Sequence, residues 1–332
     1  MTIHPFKWQN CVTGKAWLQN HASHDAIECK AEVLFAELLN KLRLCSLPRA
    51  VVAVSGGSGV GKSTTARLIH EYLEAQGIGC ALIGGDEYPF RIPVLNDAER
   101  LRILRQAGIQ GMLREGVYSD KAWRELHVLQ TKMVDADPKY DATYPWHKAY
   151  LGYGRKALSE YLGSQAEQDY PAMQELINAF REGKNEILLR KLGDEEADFH
   201  YEAGDFSDKR VLLIEWTHAG NPNLKGVDIS VFLYSTPEET LERRKKRARN
   251  ANTDTPLIAL VLELEQIMLN ENAKNADIIQ KSFETNPSQF DHANETYPNR
   301  KPHVHKVLAH RVGKIAPLSR TKAPTSTVMN VT

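Results

Sequence analysis

Three short stretches of the chain are continuously apolar and rich in β-branched residues: Ala50–Val54, Val211–Glu215 and Asp228–Tyr234. A fourth, Cys80–Gly84, reads CALIG. Continuous apolar runs, rather than alternating ones, mark strands buried on both faces of a parallel sheet. Between and after them apolar residues recur with a helical period, over Ser63–Gln76, Glu99–Leu113, Tyr170–Glu182, Pro237–Asn250 and Leu257–Asn272. The alternation of strand and helix predicts an α/β fold, a parallel sheet with helices on both faces. Ahead of it, residues 1–47 begin polar and become helix-like, with Val33, Leu34, Leu38, Leu39 and Leu42 on one face. Residues 286–332 hold few large apolar side chains and much Pro, Asn, Thr and His, the composition of a tail that drapes over a core or stays partly disordered. The expected organisation is an N-terminal helical extension (1–47), a main domain (48–285) and a polar C-terminal tail (286–332).

The first strand runs directly into Gly56, Gly57, Ser58, Gly59, Val60, Gly61, Lys62, Ser63 and Thr64, which match G-x-x-x-x-G-K-[ST] at every fixed position. Glycines let the backbone curl into conformations that a Cβ forbids, so that successive N–H groups converge on phosphate oxygens. The helix that follows adds unpaired N–H groups and the positive end of its dipole. Lys62 is expected to reach the β- and γ-phosphates, and the Ser63 hydroxyl to ligate Mg²⁺. The strand before the loop and the amphipathic helix after it argue against a chance glycine turn.

Two acids stand at strand ends, where ligands bind in open α/β sheets. Asp86, in Gly84-Gly85-Asp86-Glu87-Tyr88, can accept a proton from an attacking hydroxyl, hold Mg²⁺ through water, or simply build a turn. Glu215 closes the apolar run VLLIE and is placed to hold Mg²⁺ or its bound water. Thr236, Pro237 and Glu239 then mark a helix start, followed by six basic residues in the seven positions Arg243–Arg249. That basic run reads as a solvated helix end, a nucleic-acid patch, or a lid whose arginines close over transferring phosphates.

Composition narrows these options. Lys plus Arg and Asp plus Glu are equal at 42 each, so no chain-wide basic field favours nucleic acid. The four cysteines, Cys11, Cys29, Cys45 and Cys80, form no CxxC pair and suggest reduced thiols in a cytoplasmic protein. No run of 18 apolar residues would span a membrane. Histidines 303, 305 and 310 sit in the tail without an acid partner and do not read as a metal site.

Four segments in order, GGSGVGKST, GGDEYPF, VLLIEWTHAG and RRKKRARN, resemble the P-loop kinase family of uridine kinases, phosphoribulokinases and bacterial-type pantothenate kinases. The resemblance covers roughly residues 48–283. Glu215, His218 and Ala219 match the family's third element, and Trp216 stands where the family has glycine. What the resemblance implies is a P-loop NTPase-type sheet with a large helical insert (92–205) and a lid (237–256), using ATP and Mg²⁺ to phosphorylate a hydroxyl of a small metabolite. Within it Asp86 matches the catalytic base; Lys62, Ser63 and Glu215 match phosphate and magnesium groups; Arg244, Arg247 and Arg249 match the arginine-bearing lid.

The acceptor itself is unnamed: nucleoside, sugar, sugar phosphate and pantothenate-like molecules all remain open. About 120 residues separate Asp86 from the Glu215 strand, far more than a crossover needs, so the insert is expected to read the acceptor. Tyr88 and Arg91, which follow Asp86 closely, and His218 are the substrate candidates. The aromatic set Tyr140, Tyr144, Trp146, Tyr150 and Tyr153 can stack on a ligand, but individually reads better as a loop packed by its own aromatics. An NTPase acting on nucleic acid or protein, and a nucleotide-binding regulator that has lost transfer, are the competing classes. Homo-oligomerisation is left open.

Overall fold

The computed structural model describes residues 7–20, 26–235, 240 and 255–281. The basic segment with Arg244, Arg247 and Arg249, and the C-terminal tail, lie outside the described residues.

A five-stranded parallel sheet forms the centre, in the order β2-β5-β1-β6-β7. Its strands are β1 (Ala50–Gly56), β2 (Cys80–Gly84), β5 (Val211–Glu215), β6 (Ile229–Tyr234) and β7 (Ile278–Lys281). All seven residues of β1 are buried, as its continuous apolar run demands of a strand flanked on both sides and covered on both faces. Alternate β1 residues feed different cores. Val52 and Val54 join Leu213, Val231 and Leu233 under α3 (Lys62–Ala75) and the N-terminal helices α1 (Gly14–Asn20) and α2 (Ala26–Leu42). Val51 and Ala53 join Leu212 and Ile214 under α7 (Tyr170–Arg181).

In α2 the buried face is Leu34, Phe35, Leu38, Leu39 and Leu42, while Val33 is 52% exposed. The apolar stripe is therefore rotated by one position from the one that Val33 suggested. Trp8 and Trp17 complete this core, and Trp8 Nε1 donates to the Leu47 carbonyl at 2.6 Å. Arg49, almost fully buried, holds the entry to β1: its guanidinium donates to the carbonyls of Phe180 (2.9 Å), Lys184 (3.1 Å) and Phe206 (3.0 Å).

The insert is mainly helical: α4 (Pro93–Arg114), α5 (Asp120–Thr131) and α6 (His147–Tyr161). Helix α4 begins six residues before the expected Glu99, because Pro93 supplies a pre-set first turn. Helices α4 and α6 approach closely at glycine positions. An added Cβ at Gly108 would strike the Tyr150 ring, one at Gly111 the Tyr153 ring, and one at Gly154 the Leu104 carbonyl. The expected loop of self-packed aromatics is thus in good part a helix. Trp146 and Tyr150 fill a core with Met112 and Leu126, and the Tyr150 hydroxyl donates to Asp135 Oδ2 at 2.6 Å. His147, fully buried, has Nδ1 2.6 Å from Asp141 Oδ1, an internal tether rather than a ligand site. Helix α8 (Pro256–Ala273), capped by the Thr255 hydroxyl accepting from the Ile258 N–H, packs Leu257, Leu260 and Val261 on α4 and α6. An antiparallel hairpin, β3 (Glu186–Lys191) and β4 (His200–Asp205), follows α7.

Candidate active site

Three strands deliver the candidate groups to one end of the sheet. In register, Val54 of β1 pairs with Glu215 of β5, and Glu215 with Gly84 of β2. The glycine loop leaves β1 at Gly56, and Asp86 lies two residues beyond Gly84. The loop, the Glu215 carboxylate and Asp86 therefore share the carboxyl edge of three adjacent strands, the position expected of a ligand crevice.

Gly56, Gly59 and Gly61 have φ of 146°, 80° and 95°, which L side chains rarely adopt. A Cβ at Gly56 would also overlap the Leu233 carbonyl. Val60 is buried and anchors the loop in the core below it, and Gly61 caps the N-terminus of α3 in the left-handed conformation. The loop is a cradle open to anions at the start of a 14-residue helix.

Lys62 Nζ donates to the Gly57 carbonyl at 3.2 Å, folding the ammonium back over its own loop. Ser63 Oγ donates to Glu215 Oε2 at 3.2 Å. A hydroxyl and a carboxylate brought together beside a phosphate cradle suit Mg²⁺, a hard cation that takes few protein oxygens and completes its shell with water and phosphate. Among the described residues no cluster of three or more His, Cys, Asp or Glu is gathered for a metal, as a site completed by nucleotide oxygens would not require one. Asp86 lies in a 3₁₀ turn (Gly85–Glu87) and is exposed, whereas Gly85 beside it is buried.

The other candidates are placed differently. Tyr88 is 2% exposed, its ring 6.2 Å from that of Trp216, and burial pushes its hydroxyl up to about 12. Arg91 is half-buried; it donates to the Tyr161 hydroxyl at 3.2 Å and faces Glu99 at 3.9 Å. His218 is 4% exposed, and among the described residues its Nδ1 has no hydrogen-bond partner. Burial, against the pull of Glu167 and with the push of Arg100 and Lys62, lowers His218 to about 4. It is therefore a neutral imidazole at pH 7. Since it binds its proton less readily folded than unfolded, stability is expected to fall as pH drops from about 6.5 towards 4, by on the order of 2–3 kcal/mol in all. Denaturant unfolding at several pH values checks this: the His218→Asn variant should show a flatter slope across that window.

Trp216 is fully buried, against Tyr88, Tyr170 (5.2 Å) and His218 (5.6 Å). It does not fill the crevice. The ring lies where a Cβ on Gly85 would be, so the large residue at 216 is matched by the absence of a side chain at 85. Gly85→Ala should destabilise the chain by about 1–3 kcal/mol through overpacking, seen as a lower melting temperature. Unchanged melting would contradict the contact.

Sequence reasoning missed a charged cluster beside the loop. Arg100 of α4 reaches Glu167 at 2.8 Å and Glu265 of α8 at 3.3 Å. Glu167 is fully buried and also accepts from the Gly163 N–H (2.7 Å) and Asn96 (3.1 Å). Burial, with Glu167 and Asp97 nearby, raises Glu265 to about 7 despite Arg100 and Lys62. Glu265 also lines, with Ser58, Arg100 and Leu257, a cavity of about 470 Å³ between α4 and α8. Arginines at 91, 100, 102 and 105 were visible in the sequence, but their partners are 67 and 165 residues away from Arg100, beyond any local pattern.

No protein-family model matches the chain. It is 38% identical over 231 residues to a protein of Mediterraneibacter gnavus described as bifunctional alpha-galactosidase/sucrose kinase AgaSK, a match covering 70% of this chain. The chain spans only 20% of that relative's length. Among solved structures it is similar to a putative fructose transport system kinase from Silicibacter sp. TM1040, with 14% identity, TM-score 0.44, and coverage of 78% of this chain and 100% of that one. It is also similar to a possible uridine kinase from Bacillus stearothermophilus, with 15% identity, TM-score 0.38, and coverage of 77% and 99%. Neither structural likeness carries the functional reading; the loop and its two acids do.

Proposed function

We propose that the chain is an ATP-dependent kinase that transfers the γ-phosphoryl group to a hydroxyl of a small carbohydrate. The observation that carries the transfer is the meeting of the phosphate cradle, the Ser63–Glu215 oxygen pair and exposed Asp86 at one sheet edge. In this reading the loop N–H groups and Lys62 bind the phosphates. Lys62 exchanges the Gly57 carbonyl for phosphate oxygens as the nucleotide arrives. Asp86 orients the acceptor hydroxyl and takes its proton as the oxygen attacks phosphorus, and ADP leaves. Ser63 and Glu215 would hold Mg²⁺, which would supply positive charge against the phosphates. Arg244, Arg247 and Arg249 are proposed to close over the same phosphates.

The carbohydrate class is supported by the curated relative, whose description joins a galactosidase to a sucrose kinase. A chain built on a phosphate loop corresponds chemically to the kinase part of such a protein. We place it in the cytoplasm, where ATP is available. Among the described residues no helix is long and apolar enough to cross a membrane, and Cys11, Cys45 and Cys80 are free thiols.

The test is incubation with γ-labelled ATP, Mg²⁺ and a panel of neutral sugars, nucleosides, sugar phosphates and pantothenate. Label should move to a neutral mono- or disaccharide. Hydrolysis stimulated only by DNA or RNA, with no labelled acceptor, would overturn the reading.

A further inference from the structure

A groove of about 490 Å³ lies between α7 and the β3–β4 hairpin, and neither the glycine loop nor Asp86 lines it. Its size is in the range of small-molecule sites, roughly 300–1,000 Å³. The hairpin register pairs Arg190 with Tyr201 and Leu188 with Ala203, so one hairpin face presents Glu186, Leu188, Arg190 and Tyr201 together. On that face Leu188 is 62% and Tyr201 52% exposed, large apolar groups left in the open.

One of the groove's deep residues is polar and incompletely satisfied. Tyr88, 2% exposed, also lines it. Arg190, 6% exposed, is fixed by Asp169 (2.6 Å) and the Pro89 carbonyl (2.7 Å), yet among the described residues its Nε has no partner. A buried polar group without a partner is costly, and sites that take ligands are where that cost is met.

The charges around it select the ligand. Arg190 is neutralised by Asp169, and Lys184 faces Glu182 at 3.5 Å. Glu175 and Glu186 have no cation partner among the described residues. Two such carboxylates repel an anion. Hydroxyl groups suit them: carboxylates accept from hydroxyls, Asn178 both donates and accepts, and the Tyr201 ring offers a face to C–H groups. We propose that this groove is a second, non-catalytic site for a neutral sugar, separate from the phosphate-loop site. Tyr88 joins it to the crevice, being two residues from Asp86 and packed on Trp216.

Calorimetric titration of the full chain with glucose, sucrose and trehalose, without nucleotide, tests the proposal. At least one sugar should bind. Glu175→Gln with Glu186→Gln should weaken it tenfold or more, Tyr201→Ala should do the same, and Asp86→Asn should leave it unchanged. Glucose 6-phosphate should bind at least tenfold more weakly than glucose. The proposal is overturned if no neutral sugar binds, or if the phosphorylated sugar binds more tightly. It is equally overturned if Asp86→Asn abolishes binding that the groove variants leave intact, which would put the sugar in the crevice. Circular dichroism confirms that the variants fold. Sugar binding without any phosphotransfer would leave the groove standing and count only against the kinase reading.

Discussion

Lys62→Ala is expected to reduce phosphotransfer by 100-fold or more, about what a preorganised charge-stabilising donor contributes. The reason lies in the loop's construction. Glycine conformations at positions 56, 59 and 61 fix the backbone donors, and the lysine ammonium is the mobile positive charge above them. Lys62 is half-buried at a helix start, and its truncation removes a hydrogen bond to the Gly57 carbonyl without emptying a core site. Stability should therefore change by less than about 1 kcal/mol. Initial-rate measurements beside melting curves separate the two effects. Turnover within a few-fold of the parent would refute the role given to Lys62. A collapse of melting temperature in step with activity would mean that the residue acts through folding.

Asp86→Asn should lower kcat by roughly 10²–10⁴, the usual worth of a positioned general base, while nucleotide affinity stays close to the parent's. The amide keeps the size of the side chain and loses its capacity to take a proton. Asp86 is exposed in a short turn, so the fold has little at stake in its charge. Nucleotide binding measured by calorimetry should depend on Lys62 and be indifferent to residue 86. Equal loss of binding and turnover would move Asp86 from proton acceptor to metal holder, and unaffected turnover would remove it from the chemistry.

The donor half of this site was legible because its physics is local. A strand, a glycine loop and a helix start lie within some 15 consecutive residues, and residues with a Cβ rarely adopt φ near 90°. The apolar runs were equally plain, since the central strands β1, β5 and β6 are buried almost throughout and have few polar positions to interrupt them. The fifth strand, Ile278–Lys281, escaped notice: four residues at a sheet edge, with Gln280 and Lys281 among them, carry too little pattern. Strand β4 escaped for a related reason, since none of its residues is buried and HYEAGD holds no run of large apolar side chains. In the insert, the aromatics that read as a loop packed by its own side chains do pack on one another, but on a helix: Tyr150 and Trp146 are core of a helix pair whose closeness is set by glycines elsewhere in the sequence. Tyr88, a substrate candidate for its nearness to Asp86, is buried on the hairpin side, while Asp86 is exposed. Pairings such as Arg100 with Glu167 and Glu265 exist only once three separate elements have packed, so no sequence window contains them.

The indole at 216 also gives the molecule an optical reporter. Of the five tryptophans, Trp8, Trp17 and Trp216 are fully buried, Trp146 nearly so, and Trp123 is 47% exposed. Only Trp216 lies against the turn that bears Asp86, with an imidazole edge-on to it and two phenol rings alongside. Any shift of that turn changes the quenching environment of one chromophore, while acrylamide in solution reaches chiefly Trp123. Emission recorded under acrylamide thus watches the Asp86 turn from inside the protein, without a label.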